Sequence, residues 1–431
     1  MKTPFTDDFL NTTAKKIFSP LFHMDSVTCF FIAGGGKKTL MKFFLSNQAA
    51  IKKIMKNVYK KCLFVYINTD DISEISVTAY LDLMREKLAS IIKRKRILLP
   101  MSLGHQPLED LKVNLKLLTD NGYYIIFILN DFEFTLQLSL SIYLNLESIM
   151  SINKSQITYL FLSAKNLLDS EILNKLSNLK YAVTQHINYY PLLNYENSKY
   201  IIQQTAMQLG VKLADKYTKL LYKICGGHPQ LLKYATYIIH DNIDRYRNSE
   251  EKLKDLLIFH GQLQIICDDI WNNLLAKEQK ILFNVVKTGY MLDSKSENSK
   301  YLKELGIVEH ETNKKHRVFS DIFHQYVKTK IPLEKLVYDT STDQIYYGLN
   351  PCSKEFTLQE YRLLIHFIKH EGSVVSRDDL AKILWGEDSY DKYSNYAIDK
   401  NLSIIRKKLN QIGYPSGNLK TLKKRGYCLI Q

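Results

Sequence analysis

The chain lacks the signals that mark most hydrolases, metalloproteins and membrane proteins. Its six cysteines (Cys29, Cys62, Cys225, Cys267, Cys352 and Cys428) are scattered through 431 residues, with no CxxC pair and no histidine at metal-ligand spacing. That excludes a zinc ribbon and a disulfide framework, and it reads as buried thiols in a reducing compartment. No apolar run approaches the ~18 residues that a bilayer crossing requires. The longest, Tyr123 to Leu129, is strand length. Polar and charged residues are spread through residues 1–19, without the apolar centre of a secretory leader. No Ser-His-Asp or Cys-His constellation is present. His23, His105, His186, His228 and His260 stand alone and read as structural. Lys93 to Arg96 reads as a solvated helix end. These absences predict a soluble, cytoplasmic protein with no membrane partner, no catalytic residue and no metal site.

What is present is charge, and its position matters more than its amount. A net charge of +15 and a pI near 9.2 favour an anionic partner, although abundant Lys, Ile, Asn and Tyr also follow from an AT-rich coding background. The clustering is more informative. From Lys400 to the last residue there are eight basic residues and no acidic one: Lys400, Arg406, Lys407, Lys408, Lys420, Lys423, Lys424 and Arg425. Ala397, Ile398, Leu402, Ile405 and Leu409 recur at helical spacing, which turns Lys400, Asn401, Ile404, Lys407 and Lys408 to other faces. Ser394 or Asn395 can cap this helix and Gly413 ends it. Upstream, Thr357 caps a helix from Leu358 to His370, and Ser376 caps another from Arg377 to Trp385. A hairpin of Leu419 to Leu422 and Gly426 to Ile430 closes the chain. A cationic helix beside a cationic hairpin is a surface that meets phosphates.

These elements carry a resemblance. Phe356-Thr357-Leu358-x-Glu360-Tyr361-x-Leu363-Leu364, Val375-Ser376-Arg377-x-x-Leu380, Leu384-Trp385-Gly386, Asp399-x-x-Leu402-x-x-Ile405-Arg406-x-Lys408-Leu409 and Gly426-Tyr427-x-Leu429 resemble the OmpR/PhoB-type winged-helix effector domain. The resemblance implies a bacterial DNA-binding domain. Residues 395–410 would be its recognition helix in the major groove, and the hairpin its wing in the minor groove of double-stranded DNA. It assigns DNA contact to Lys400, Asn401, Ile404, Arg406, Lys407, Lys408, Lys423, Lys424 and Arg425. Asn401 replaces the histidine of many members and can pair bidentately with adenine. Lys423 and Lys424 stand where the wing usually carries Arg and an extra Gly.

The front of the chain reads as α/β. Val27 to Ala33 is a buried strand, Gly34-Gly35-Gly36-Lys37-Lys38-Thr39 a loop, and Leu40 onward a helix. In such a loop backbone N–H groups wrap a phosphate, a lysine reaches it and a hydroxyl holds Mg²⁺. Taking Lys38-Thr39 as the Lys-Thr pair puts Lys37 and Ile32 where glycines belong, and side chains there crowd the turn. A strand from Cys62 to Ile67 and a helix from Val77 to Lys95 follow. The strand Tyr123 to Leu129 then runs into Asn130-Asp131-Phe132-Glu133. Of two acids at such a strand end the first orients Mg²⁺ and the second polarises water. Asn130 takes the first place, and no arginine lies in the strand-end segments, which predicts absent or slow hydrolysis. Thr158 to Ser163 is a fourth strand. Alternating strands and helices imply a parallel sheet with right-handed crossovers.

With Gly226-Gly227-His228-Pro229 at a helix junction further on, the order of elements resembles an AAA+ ATPase of the STAND type with degenerate Walker motifs. The resemblance implies a first sensor near Asn166 and a lid whose Pro229 lies against adenine, although the same four residues also read as a plain helix–loop–helix turn. It implies ATP or ADP, with Mg²⁺, as cofactor, held by Gly34, Gly35, Gly36, Lys38, Thr39, Asp131 and Pro229. The expected architecture is a parallel-sheet α/β AAA+-like domain (1–190), a helical lid (191–261) and two winged-helix α+β domains (262–333 and 334–431). The helix Trp271 to Lys287 would open the first winged helix, and Pro332 would begin the linker to the second.

No phosphorelay receiver precedes the effector, because the front end is too long and lacks a strand-end acidic cluster. Three readings follow. One is a transcriptional regulator whose AAA+-like region senses a protein or small-molecule signal without efficient hydrolysis. The others are an active ATPase switch with DNA-binding output, and a non-enzymatic assembly protein. Operator specificity from one small domain calls for two copies, so a homo-oligomer on DNA is expected, and the resemblance implies tandem rather than palindromic half-sites.

Overall fold

The structure, a computed structural model, describes residues 5–431 except 101, 103, 105, 244, 247–248, 292–293, 312–314, 332–334, 349 and 387–393. His105 and Pro332 lie outside the described residues. The chain forms two compact units, residues 1–329 and 330–431.

The first unit is built on a five-stranded parallel sheet. Its strands are β1 (Val27–Phe31), β2 (Cys62–Asn68), β3 (Tyr124–Asn130), β4 (Ile157–Ser163) and β5 (His186–Tyr190), in the order β2-β3-β4-β1-β5. All pairs are parallel. Both faces are covered by helices, so β1 and β4 are buried along their whole length. This is why their sequences are mostly apolar, interrupted only by Thr28, Thr158 and Ser163, rather than alternating. β5 alternates polar and apolar residues and pairs only with β1, at the sheet's edge. From β1 the chain crosses to the far edge at β2, whereas from β4 it crosses past β1 to β5. The two connections leave in opposite directions, so a crevice opens beyond the carboxyl ends of β1 and β4, where α/β sheets hold ligands.

Beyond the sheet the unit is helical through the helices Tyr195–Gln208, Asp215–Cys225, Pro229–Asn242 and Glu250–Phe259. Three more helices, the hairpin Val308–His310/His316–Val318 and the helix Asp321–Lys330 follow. One expectation is corrected here. The helix predicted over Trp271 to Lys287 is two helices, Gly261–Asn273 and Ala276–Thr288. The break is made by Glu278, whose carboxylate accepts the Leu275 amide at 2.8 Å and caps the second helix.

In the second unit a small antiparallel sheet (Leu336–Asp339, Gln344–Tyr347, Asn350–Pro351) precedes the helices Leu358–Lys369, Arg377–Trp385 and Asn395–Gln411. The hairpin Leu419–Leu422/Gly426–Leu429 ends it. Capping boxes start the first two helices, Thr357 with Glu360 and Ser376 with Asp379. Ser394 caps the third. Leu363, Leu364, Phe367, Leu380, Ile398, Leu402, Ile405 and Leu409 fill one core, so the heptad-like spacing of the third helix is the spacing of its buried face. Val375 bridges to Tyr427 and ties the hairpin to the helices.

Candidate functional site

In the first unit the glycine loop sits at the crevice. Gly34 and Gly36 have φ of +73° and +90°, a left-handed backbone that side chains resist. Gly36 precedes the helix Lys37–Ser46, whose first turn receives no side-chain cap. Its amides therefore point outward as donors for an anion. A cleft of about 1020 Å³ opens over them, lined by Lys37, Lys38, Thr39, Asp70, Asp131 and Glu133 among others.

The positive-φ geometry corrects the expected role of Lys37. The tight turn is made by Gly34 and Gly36, and Lys37 is already helical, so its side chain does not crowd the turn. Lys37 Nζ lies 2.5 Å from Asp131 and 3.1 Å from Glu133. Lys38 Nζ lies 2.7 Å from Asp70 and 3.1 Å from Asp131. Burial pulls the Lys38 ammonium down, but Asp70 and Asp131 outweigh it and the net shift is upward. Bonding to Lys38 outweighs burial and holds the Asp70 carboxyl below its ordinary value.

The acid positions are corrected too. Asn130 is fully buried and is not part of the cleft wall, because β3 turns its side chain onto Asn68, at 3.1 Å. Asp131 breaks the strand with φ +53° and swings its carboxylate to the lysines. Glu133 accepts the Ala164 amide at the end of β4, at 3.1 Å. Its other oxygen is buried without a partner among the described residues. Two acids from the end of β3 therefore face the loop, beside Asp70.

Asn166 departs from its expected place as well. It is buried, bonded to Glu278 at 2.9 Å and Asn298 at 3.3 Å, and does not line the cleft. Burial pushes the Glu278 carboxyl up to about 7. His228, read as structural, proves to reach the loop. Its Nε2–H donates to the Ala33 carbonyl at 2.7 Å, and its Nδ1 accepts the Leu231 amide at 3.2 Å. Burial lowers its pKa to about 4, consistent with this neutral tautomer. Pro229 and Gln230 close over the same loop; a Cβ on Gly34 would come 2.3 Å from Gln230 Oε1.

In the second unit the basic residues divide into two groups. Lys400, Lys407, Lys420, Lys423, Lys424 and Arg425 are exposed, and no ion pair engages them among the described residues. Half-buried Ile404 lies between them on the helix. The other three polar candidates are engaged inside the domain. Arg406 donates to the Leu419 carbonyl at 2.9 and 2.7 Å and to the Thr421 hydroxyl at 2.8 Å, fastening the hairpin to the helix. Lys408 is paired with Glu360 at 2.6 Å. Asn401 spends an amide hydrogen on the Ala397 carbonyl at 2.9 Å.

Lys424 adopts φ +61°, the conformation that accounts for the glycine usually found there. Tyr396, 76% exposed and four residues before Lys400, joins the same outward stripe. The i, i+4 spacing from Lys400 was the signal that could have found it. Arg377 holds this helix in place, donating to Asn395 Oδ1 at 2.9 Å and to Asp399 at 3.0 Å while lying over the Tyr427 ring.

Residues 353–429 match the family described as "Transcriptional regulatory protein, C terminal". No curated protein matches the chain. Among solved structures the chain is similar to the Aeropyrum pernix ORC2 protein in its ADPNP-ADP complexes, at 15% identity and a TM-score of 0.47, covering 77% of this chain and 96% of that one. It is similar to a Walker-type ATPase of Pyrococcus abyssi at 8% identity and a TM-score of 0.49, covering 75% and 96%. It is similar to the Thermotoga maritima RuvB branch migration motor at 13% identity and a TM-score of 0.33, covering 75% and 95%. No helix of the described residues is long and apolar enough to cross a membrane.

Proposed function

We propose that the protein is a DNA-binding transcriptional regulator whose front unit binds a nucleotide's phosphates and turns over slowly or not at all. One observation carries the DNA half. Six basic side chains stand exposed on one helix and its neighbouring hairpin, in a segment without a single acid and within the matched effector domain. Lys400, Lys407 and Tyr396 would face the major groove, and Lys423, Lys424 and Arg425 the phosphates beside it. Arg406 and Lys408 would act by holding the hairpin and helix in register. Two copies on tandem half-sites would supply the operator length that one domain lacks. The test is a protected footprint on DNA upstream of the protein's own coding sequence, with and without ATP. Absence of salt-dependent protection would remove the central claim.

The nucleotide half rests on the glycine loop. Its left-handed glycines, uncapped helix start and nearby Lys38 and Thr39 fit a phosphate. Mg²⁺ fits less well by itself. Among the described residues no group of three or more Asp, Glu, His or Cys is arranged to hold a metal ion. Mg²⁺ would therefore arrive with the phosphates. Slow turnover is favoured because no arginine lines the cleft among the described residues. The inward placement of both Asp131 and Glu133 favours the second reading, an active ATPase. Steady-state phosphate release by the pure protein with its DNA separates the two. Turnover near or above about 1 s⁻¹, abolished by Lys38→Ala, would establish the active enzyme.

A further inference from the structure

A second, much smaller space opens on the same loop. It is an apolar slot walled by Gly35, Leu40, Tyr190, Leu193 and Pro229 together with Phe5. About 10 Å³ of it is free, which is room for a single water at most. Phe5 is one of the residues that close it. Phe5 is 3% exposed and stacks on Phe9 with ring centroids 5.1 Å apart. It lies close enough to the loop that a Cβ on Gly36 would meet its Cζ at 3.1 Å. Phe5 and Pro229 also line the large cleft, so together they form the partition between slot and cleft. The neighbouring residue anchors the partition: the Thr6 hydroxyl donates to Asn197 Oδ1 at 2.7 Å, on the helix Tyr195–Gln208.

An apolar, proline-walled slot beside an uncapped helix start suits one kind of ligand, a planar base joined to phosphates. We propose that Phe5 is a built-in occupant of a nucleotide-base slot, so that a purine nucleoside diphosphate or triphosphate binds fully only by displacing the Phe5–Thr6 segment. This rests on the phosphate-loop reading above and adds to it a competitor carried by the chain itself. The consequence is coupling. A nucleotide releases Thr6 from Asn197, and its apparent affinity is lowered by the fraction of molecules in which the slot is filled. A phosphate ligand without a base has no reason to move Phe5.

The test compares mant-ADP and inorganic pyrophosphate on the full chain, wild type against Phe5→Ala, with Lys38→Ala as the phosphate-loop control. Emptying the slot raises mant-ADP affinity roughly 10- to 100-fold, the equivalent of no longer unburying a phenyl ring, and leaves pyrophosphate affinity unchanged. Hydrogen exchange on the wild-type chain gives a second measurement that needs no variant to fold. ADP speeds exchange over residues 5–10, and pyrophosphate does not. Equal mant-ADP affinity in wild type and Phe5→Ala, with binding still lost in Lys38→Ala, would overturn the inference and leave the phosphate loop standing. Slower exchange over residues 5–10 with ADP would overturn it too. If neither probe binds either protein, the phosphate-loop reading fails and takes the inference with it.

Discussion

Gly227→Ala tests how the turn at Gly226 and Gly227 is held against the backbone of Leu193. Gly227 has φ +78°, and a Cβ there would come 2.1 Å from the Leu193 carbonyl oxygen. The two residues are also joined by a hydrogen bond, the Leu193 amide donating to the Gly227 carbonyl at 3.1 Å. Nothing can move aside cheaply, because the obstacle is backbone. A left-handed L-residue costs about 1–2 kcal/mol, and forced overpacking adds about 1–3 kcal/mol, giving roughly 2–5 kcal/mol in all. Gly210 supplies the control. Its φ is +76° with nothing within 4 Å of an added Cβ, so Gly210→Ala pays the strain alone. Thermal unfolding followed by circular dichroism reads the difference. At about 2 °C per kcal/mol for a large unit, Gly227→Ala melts roughly 4–10 °C lower than wild type and Gly210→Ala roughly 2–4 °C lower. The reasoning is refuted if Gly227→Ala is no worse than Gly210→Ala. Gly226, whose added Cβ would lie 2.0 Å from the Phe319 carbonyl oxygen, should behave like Gly227.

Two further outcomes are expected. Lys424→Gly relieves a left-handed lysine and leaves stability unchanged or raises it by up to about 1 kcal/mol. It should also weaken all DNA sequences alike and lower the salt slope by about one; a loss of affinity confined to particular sequences would argue instead for base contact. His228 has a folded pKa of about 4 against an ordinary value near 6.5, so its contribution is fully present above pH 6.5 and is lost as pH falls toward 4. That amounts to at most about 3 kcal/mol. His228→Asn should flatten the melting-temperature profile between pH 6.5 and 4, and an unchanged slope would show that another group governs it.

The parts of the fold legible in sequence were those where one physical requirement dominates. β1, β3 and β4 are buried on both faces, and near-continuous apolar runs satisfy that. The helices of the second unit announce themselves through Thr357 with Glu360 and Ser376 with Asp379, because a capping box is local. β5 was not found, since an edge strand reading His-Ile-Asn-Tyr-Tyr carries no continuous run. The break at Leu274 and Leu275 was missed because apolar periodicity passes through it and the capping carboxylate is three residues on. Counting charge found the basic surface but could not tell which cations the domain uses itself. Arg406 and Lys408 are spent on Leu419 and Glu360, partners distant in sequence.

The glycine loop shows why motif spelling and motif geometry part company. Counting along the sequence placed Lys37 in a turn and Asn130 at the acid, and both placements assume a standard backbone. A single left-handed residue, Asp131, advances the acids by one position and presents Asp131 and Glu133 to the lysines. Gly36 does the same for the turn. The resulting cluster of Lys37, Lys38, Asp70, Asp131 and Glu133 sums to 2 − 3 = −1, so the loop is not a ready cationic cradle. An incoming phosphate must take the lysines from carboxylates rather than find them waiting. Asp131 and Glu133 follow the end of β3, and Glu133 also accepts the Ala164 amide beyond the end of β4. Freeing the lysines would therefore remove the partners of carboxylates that stand at the ends of both strands. An occupied loop would be felt at those strand ends whether or not a phosphate bond is ever broken.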